Sequence, residues 1–322
     1  MAEDERCGLV ALVGRPNSGK STLLNALVGE KIAIVSDKPQ TTRNRIVGVV
    51  TEPRGQAVFF DLPGVHRPLH RMNRKMMQEV RSALEEVDLI LHLVDSSELW
   101  GAGEEFLFDL LAPVRATVVG VLTKIDLVRP RERLLPLLES YGRHRPSTEI
   151  VPISGHTGDN LDELLATLFR LLPEGPPLYP LGFSTTQTER FFVAEVVREK
   201  LLHLTRDELP YTAGVLIESF EETAGLLRIE AVILVERQSQ KGVVIGKGGR
   251  MIRAIGRAAR EDLETRLGSR IYLGLRVKVR PRWREDAHVL VEMEPGVATP
   301  VPEEEEPTPA GPCRTNRNGD DP

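Results

Sequence analysis

Gly14-Arg15-Pro16-Asn17-Ser18-Gly19-Lys20-Ser21 is the stretch from which the rest of the chain can be read. It fits the pattern G-x-x-x-x-G-K-[ST]. Leu9–Val13 precedes it, short and apolar as a buried strand should be, and Thr22–Val28 follows it as a helix. A strand, a Gly-containing loop and a helix N-terminus direct free backbone N–H groups and the helix dipole at one point. That arrangement binds phosphate. The expectation is that Gly14 to Thr22 wraps the phosphates of a nucleoside triphosphate. Lys20 would reach the β- and γ-phosphates, and the Ser21 hydroxyl would ligate Mg2+. The motif does not say which base is bound.

Outward from the loop, apolar runs alternate with amphipathic ones. Strands are expected at Leu9–Val13, Ile46–Val50, Ala57–Phe60, Leu89–Val94, Thr117–Leu122 and Glu149–Val151. Helices are expected at Lys20–Val28, Asn73–Leu84, Glu104–Leu111, Arg131–Tyr141 and Asn160–Leu171. The alternation predicts an α/β domain, a mostly parallel six-stranded sheet with helices on both faces. Pro173-Glu174-Gly175-Pro176-Pro177-Leu178-Tyr179-Pro180 continues neither helix nor central strand, and reads as a semi-rigid linker. Beyond it, Glu189–Leu204 reads as a helix. Val215–Phe220 and Leu227–Val235 read as strands joined around Thr223-Ala224-Gly225, Gly242–Ile245 as an apolar turn, and Ile271–Val279 as a last strand, with a long helix before it ending near Leu267. The domains are then 1–7 (tail), 8–172 (nucleotide domain), 173–183 (linker), 184–295 (an α+β domain) and 296–322 (an acidic tail expected to be disordered).

Composition narrows the function classes. At 41% hydrophobic and 28% charged residues, the chain is ordinary for a soluble globular protein. No apolar run approaches the ~18 residues of a membrane span. The acidic start Met1-Ala2-Glu3-Asp4-Glu5-Arg6 is unlike a signal peptide, and the two cysteines, Cys7 and Cys313, build neither a disulfide framework nor a metal knuckle. A cytoplasmic protein is expected. Residues 228–296 hold fifteen Lys and Arg against nine Asp and Glu, a net +6 inside a chain of net −5. Such a block points weakly to a polyanion.

Further motifs fall at strand ends. Asp61-Leu62-Pro63-Gly64 follows the strand Ala57–Phe60. The Asp61 carboxylate would hold Mg2+ through water, and the Gly64 N–H would sense the γ-phosphate. Thr123-Lys124-Ile125-Asp126 follows Thr117–Leu122. Asp126 could accept two hydrogen bonds from guanine N1–H and N2–H2, which adenine cannot supply. Lys124 would lie along the base plane, and Ser154-Gly155-His156 could offer a backbone N–H to guanine O6. Lys38-Pro39-Gln40-Thr41-Thr42-Arg43 carries a threonine that can close over Mg2+ and the γ-phosphate, either Thr41 or Thr42.

In this order the five motifs resemble those of the translation-factor-like GTPases. Pro39-Gln40-Thr41-Thr42-Arg43 is similar to the Era family in particular. The resemblance implies GTP and GDP as ligands, Mg2+ as cofactor, and Lys20, Thr41, Thr42 and Gly64 as the residues nearest the chemistry. Two positions depart from the pattern. Thr123 stands where the family has Asn, a residue that ties the base-reading loop to the phosphate loop, and its loss predicts about 0.5–1.5 kcal/mol of weaker binding. Gly155 stands where the family has Ala. Val65 occupies the place of the water-orienting glutamine of Ras-like enzymes. Slow hydrolysis is therefore expected, with K+ seated by Asn17 as a source of positive charge.

In the second domain, Gly246-Lys247-Gly248-Gly249 follows a short apolar helix ending in Val243-Val244-Ile245 and opens the long helix, which presents Arg250, Arg253, Arg257 and Arg260 on one stripe and Ile252, Ile255, Ala259, Leu263 and Leu267 on another. Glycines let a sugar–phosphate backbone approach, and the arginines suit single-stranded RNA. With Leu209-Pro210-Tyr211, the Leu-Val-Glu-Arg end of the second strand and Val277-Lys278-Val279, this half resembles the type II KH domain of the same family. The resemblance implies binding to the 3′ end of 16S rRNA, a role in 30S ribosomal subunit maturation, a monomer, and peripheral contact with the inner membrane. The alternatives are an RNA-binding module whose affinity ignores nucleotide, and a GTPase of tRNA modification.

Overall fold

The computed structural model describes residues 5–65, 71–146, 148–205, 209–223 and 225–296. The expected tail from Val297, Ala224 of the expected turn and part of the loop after Gly64 lie outside the described residues.

The first domain runs β1 (Arg6–Gly14), α1 (Lys20–Val28), β2 (Ile46–Glu52), β3 (Gly55–Asp61), α2 (Arg71–Glu86), β4 (Leu89–Asp95), α3 (Ala102–Leu111), β5 (Thr117–Thr123), α4 (Leu135–His144), β6 (Ile150–Pro152) and α5 (Leu161–Leu171). The sheet order is β2-β3-β1-β4-β5-β6, with β2 antiparallel to β3 and the other pairs parallel. Strands β3 and β4 are buried along their whole length, as a sheet covered on both faces requires. One apolar core lies under α1 and α5, and a second under α2 and α3. Arg131–Leu134, expected to begin a helix, forms a 3-10 turn instead, and α4 starts beyond it with Pro136 in its first turn, where the missing N–H costs nothing.

The linker is docked on the first domain. Gln56, fully buried, accepts the N–H groups of Leu178 and Tyr179 at 2.8 and 2.9 Å and donates to Tyr179 O at 2.9 Å. Tyr179 and Phe183 stack at 5.0 Å.

The second domain runs α6 (Glu189–Leu204), α7 (Leu209–Thr212), β7 (Gly214–Thr223), β8 (Leu226–Val235), α8 (Gln238–Ile245), α9 (Arg250–Leu267), β9 (Arg270–Val279) and α10 (Ala287–Glu292). β7 pairs antiparallel with β8, and β8 pairs parallel with β9. α6, α8 and α9 cover one face of this sheet around Val196, Val197, Ile229, Ile233, Ile255, Ala259 and Leu263. Two expectations are corrected. Gly242–Ile245 is not a turn but the last half of α8. The Gln240 side chain accepts the N–H groups of Glu236 and Arg237 at 2.9 and 3.0 Å, and so caps a helix whose polar first turn hid its start. Ile252 is only half-buried and stands outside the core, where Met251 packs instead, one turn before Ile255.

Candidate nucleotide site and its contacts with the second domain

The phosphate loop leaves β1 and enters α1 through residues that need unusual backbone. Gly19 and Asn17 take positive φ, 90° and 65°. Lys20, 5% exposed, folds back over the loop and donates to Gly14 O at 3.2 Å and Arg15 O at 2.9 Å. Burial pushes its ammonium down to about 8, against the pull of Asp61 and Glu104. Gly64 comes so close to the loop that a Cβ there would sit 2.8 Å from Pro16 Cα, and the Val65 N–H donates to Gly14 O at 3.2 Å. The stretch from Asp61 to Gly64 is thus brought against the phosphate loop, as the motif predicts.

Three oxygens meet beside it. Ser21 Oγ donates to Asp61 Oδ2 at 2.5 Å and lies 2.9 Å from Thr42 Oγ1, which is itself 3.4 Å from Asp61 Oδ2. Thr41 is excluded from this cluster, because its hydroxyl donates to Lys38 O at 2.6 Å. Asp61 is fully buried, and burial pushes its carboxyl up to about 6 although Lys20, Ser21 and Thr42 favour the charged form. Its Oδ1 has no hydrogen-bond partner among the described residues. A buried carboxylate with one unpartnered oxygen and two hydroxyls around it is a hard-oxygen set that fits Mg2+.

At the other end of the cleft, Ser154 Oγ donates to Asp126 Oδ1 at 2.7 Å and accepts the N–H groups of His156 and Thr157 at 3.3 and 3.1 Å. Ser154 thus orients Asp126 and shapes the turn through Gly155. Lys124, at φ 57°, pairs with Asp95 at 2.5 Å. Thr123 makes the tie whose loss the sequence predicted: its hydroxyl, 3% exposed, reaches Ser18 O at 2.8 Å and Val94 O at 3.1 Å. One hydroxyl carries one proton, so the link is thinner than an amide would give, but it exists. Asn17 is tied to the next segment, donating from Nδ2 to Asp37 O at 2.7 Å. Arg15 pairs with Glu98 and Glu104 at 3.1 and 3.5 Å.

In the second domain, Gly246, Gly248 and Gly249 have φ of 70°, 60° and 75°, a run that other residues adopt only with strain. Arg253 donates to Gly248 O at 2.7 Å and braces the loop. Lys247, Arg250, Arg257 and Arg260 are exposed along the start of α9. The glycine loop and basic stripe are therefore contiguous, as expected for an RNA surface.

Sequence reasoning missed how the domains meet. The segment between α1 and β2 is held from α6 and α9. Lys31 pairs with Glu199 at 2.5 Å and Asp262 at 3.1 Å, and Lys200 bridges the same two carboxylates at 2.8 and 2.6 Å. Glu199 also accepts the Val35 N–H at 3.0 Å. Arg43 donates to Ala213 O at 2.9 Å and lies over Trp283, 5.9 Å from the ring centre. Asn44 Nδ2 donates to Met293 O at 3.0 Å. On the second face of the small sheet, Met72 and Met76 of α2 pack against Val232, Leu234, Trp283, Val289 and Leu290. The segments on both sides of the Ser21, Thr42 and Asp61 cluster are therefore in contact with the second domain. One sign was present in the sequence: Glu189–Leu204 has no single apolar face, its charged residues being interspersed among apolar ones, as suits a helix with neighbours on more than one side.

Residues 9–124 match the family model of 50S ribosome-binding GTPases, and residues 208–284 match that of the KH domain. GTPase Era of Heliobacterium modesticaldum is 47% identical over 289 residues, which cover 89% of this chain and 96% of the relative. GTPase Era of Staphylococcus haemolyticus is 45% identical over 291 residues, 90% of this chain and 97% of the relative. The fold is similar to that of Era in complex with MgGDPNP and nucleotides 1506–1542 of 16S ribosomal RNA, with TM-score 0.87 and 39% identity over 90% of this chain and 98% of that one. An Aquifex aeolicus Era variant bound to GDP·AlF4− gives TM-score 0.86 and 40% identity over 89% and 98% of the two chains.

Proposed function

The chain belongs to the Era family of GTPases, and from that premise we propose that it is a GTP-driven switch acting on the 3′ end of 16S rRNA in 30S subunit maturation. GTP is bound with Mg2+ and hydrolysed to GDP, and the KH domain holds single-stranded RNA. The observation that carries this reading is the contact of the Mg2+-side segments with the KH domain, by Lys31, Arg43 and Asn44 on one side and Met72 and Met76 on the other. A change in those segments when the γ-phosphate leaves acts on the KH domain directly.

The residue roles follow from the same geometry. Ser21 and Thr42 ligate Mg2+, with Asp61 behind them; the short contacts among the three support Thr42 over Thr41. Mg2+, when bound, neutralises charge on the β- and γ-phosphates. Lys20 holds those phosphates, and the Gly64 N–H reports the γ-phosphate. Asp126 reads guanine, Lys124 flanks it, and the Gly155 turn offers a backbone donor to O6. Lys247 and the Arg250, Arg253 and Arg257 stripe hold RNA phosphates around Gly246–Gly249. Val65 is 5% exposed and has no group with which to orient water. K+ held at Asn17 would supply compensating positive charge; the amide nitrogen is engaged with Asp37 O, which leaves the amide oxygen for the ion. Titration with GTP and ATP tests the base reading, and tighter ATP binding would sink it. Equal turnover in sodium and potassium buffers would dispose of the K+ role. The family reading adds a cytoplasmic monomer in peripheral contact with the inner membrane. No helix among the described residues is long and apolar enough to cross a membrane; vesicle flotation and sedimentation test the contact and the monomer.

A further inference from the structure

The segment that closes over the Mg2+ position is held at both ends by one helix of the other domain. At its start, Glu199 accepts the Val35 N–H and His203 Nε2 lies 3.0 Å from Val35 O. At its end, Arg198 Nη2 donates to Thr41 O. Arg198 is 2% exposed. Its Nε and Nη2 also bind the Glu195 carboxylate at 2.7 and 2.5 Å, which fixes the plane of the guanidinium. The residue after Thr41 is Thr42, whose hydroxyl stands 2.9 Å from Ser21 Oγ.

We infer that Arg198 is a positioning residue of the GTPase site: from the KH domain it fixes the Thr41 carbonyl, and so places the Thr42 hydroxyl where Mg2+ is held. The inference rests on the Era-type reading of that site. Its physical basis is the planarity of the peptide unit. The Thr41 C=O, the Thr42 N–H and the Thr42 Cα lie in one rigid plane, so a donor that orients the carbonyl fixes where the Thr42 Cα stands, the atom from which its side chain departs. A bond from a buried guanidinium is stronger than a neutral one, and its fork is pre-aligned by Glu195. The KH domain is then a working part of the GTP state as well as its output. GDP has no γ-phosphate for the segment to close upon, so Arg198 acts on GTP and not on GDP.

The test uses the full chain with Arg198→Ala, Arg198→Lys and, as control, Arg190→Ala. Arg190 lies on the same helix, but its guanidinium donates to Ile217 O within the KH domain. The affinities of fluorescent GDP and a fluorescent non-hydrolysable GTP analogue are measured across a Mg2+ series, with melting temperature, kcat and KM beside them. Arg198→Ala lowers the preference for the analogue over GDP by about tenfold or more, the scale of one lost charge-assisted bond, and raises the Mg2+ needed for analogue binding. Arg198→Lys recovers part of the preference, since an ammonium can reach a carbonyl but not hold the fork. Arg190→Ala leaves the preference unchanged. Equal loss of both nucleotides together with a lower melting temperature would make Arg198 merely structural and overturn the inference, as would an unchanged preference. Failure of the wild-type chain to bind GTP would instead remove the reading beneath it.

Discussion

Replacing Thr123 by Val isolates the link between the base-reading and phosphate-holding halves of the site. Valine has nearly the shape of threonine and no donor. The hydroxyl is buried and spans Ser18 O at 2.8 Å and Val94 O at 3.1 Å. Its loss leaves Ser18 O without that donor where water has little access, which costs about 1–2 kcal/mol. In the proposed reading a bound nucleotide spans both loops, with phosphates on Gly14–Ser21 and base on Asp126, and it needs their spacing fixed. If the whole cost falls on the bound state, GDP affinity drops about five- to thirtyfold. The assay is equilibrium titration of fluorescent GDP at fixed Mg2+, with ATP as competitor. Asp126 and its partner Ser154 are untouched, so the preference for guanine stays. Unchanged GDP affinity beside a lowered melting temperature would mean that the tie serves stability alone and not nucleotide binding.

Two further outcomes follow from the domain contact. Met76 is 2% exposed in the apolar cluster between α2 and the KH sheet, so Met76→Ala should cost about 2–5 kcal/mol of stability and separate the thermal unfolding of the two domains, read by calorimetry. Burial alone would raise the Asp262 carboxyl, but hydrogen bonds from Lys200, Lys31 and Arg266 outweigh it and hold the group well below the carboxylate range. A lowered folded value stabilises above the unfolded value of 3.8 and is lost as pH falls through the folded one, so Asp262→Asn should flatten the acid limb of a melting-temperature series below about pH 4.

Most of the nucleotide site was legible because each motif sits at a strand end, where backbone geometry and side-chain chemistry are set locally. Lys20, Ser21, Asp61 and Asp126 could be placed from short patterns. Thr41 and Thr42 could not be told apart, since adjacent residues in a loop have no periodicity to separate them; the Thr41 hydroxyl turns to Lys38 O, which is why the proposed Mg2+ role is given to Thr42. Only the apolar end of helix α8 was legible, because its capping is made by Gln240, not by the usual short polar residue. The tie through Thr123 was read as a loss because a motif compares residue types, whereas the loop needs only a donor at that point. The domain contact was out of reach for a different reason. Lys31 finds Glu199 and Asp262, and Arg43 finds Ala213 O, across more than a hundred and fifty residues of chain. Single charged residues of this kind look like any solvated surface until the fold brings them together.

In the proposed function, nucleotide state, passed through the segments flanking Mg2+, sets RNA affinity in the KH domain. Its most direct test is the affinity of the full chain for a single strand copying the 3′ end of 16S rRNA, measured with GDP and with a non-hydrolysable GTP analogue. Gly248→Asp is the control: a Cβ there meets nothing within 4 Å, so the change adds a charge and a positive-φ penalty without a clash. Tighter binding is expected with the analogue, abolished by Gly248→Asp. Equal affinity with either nucleotide would contradict it, leaving an RNA-binding domain and a GTPase joined in one chain without communication.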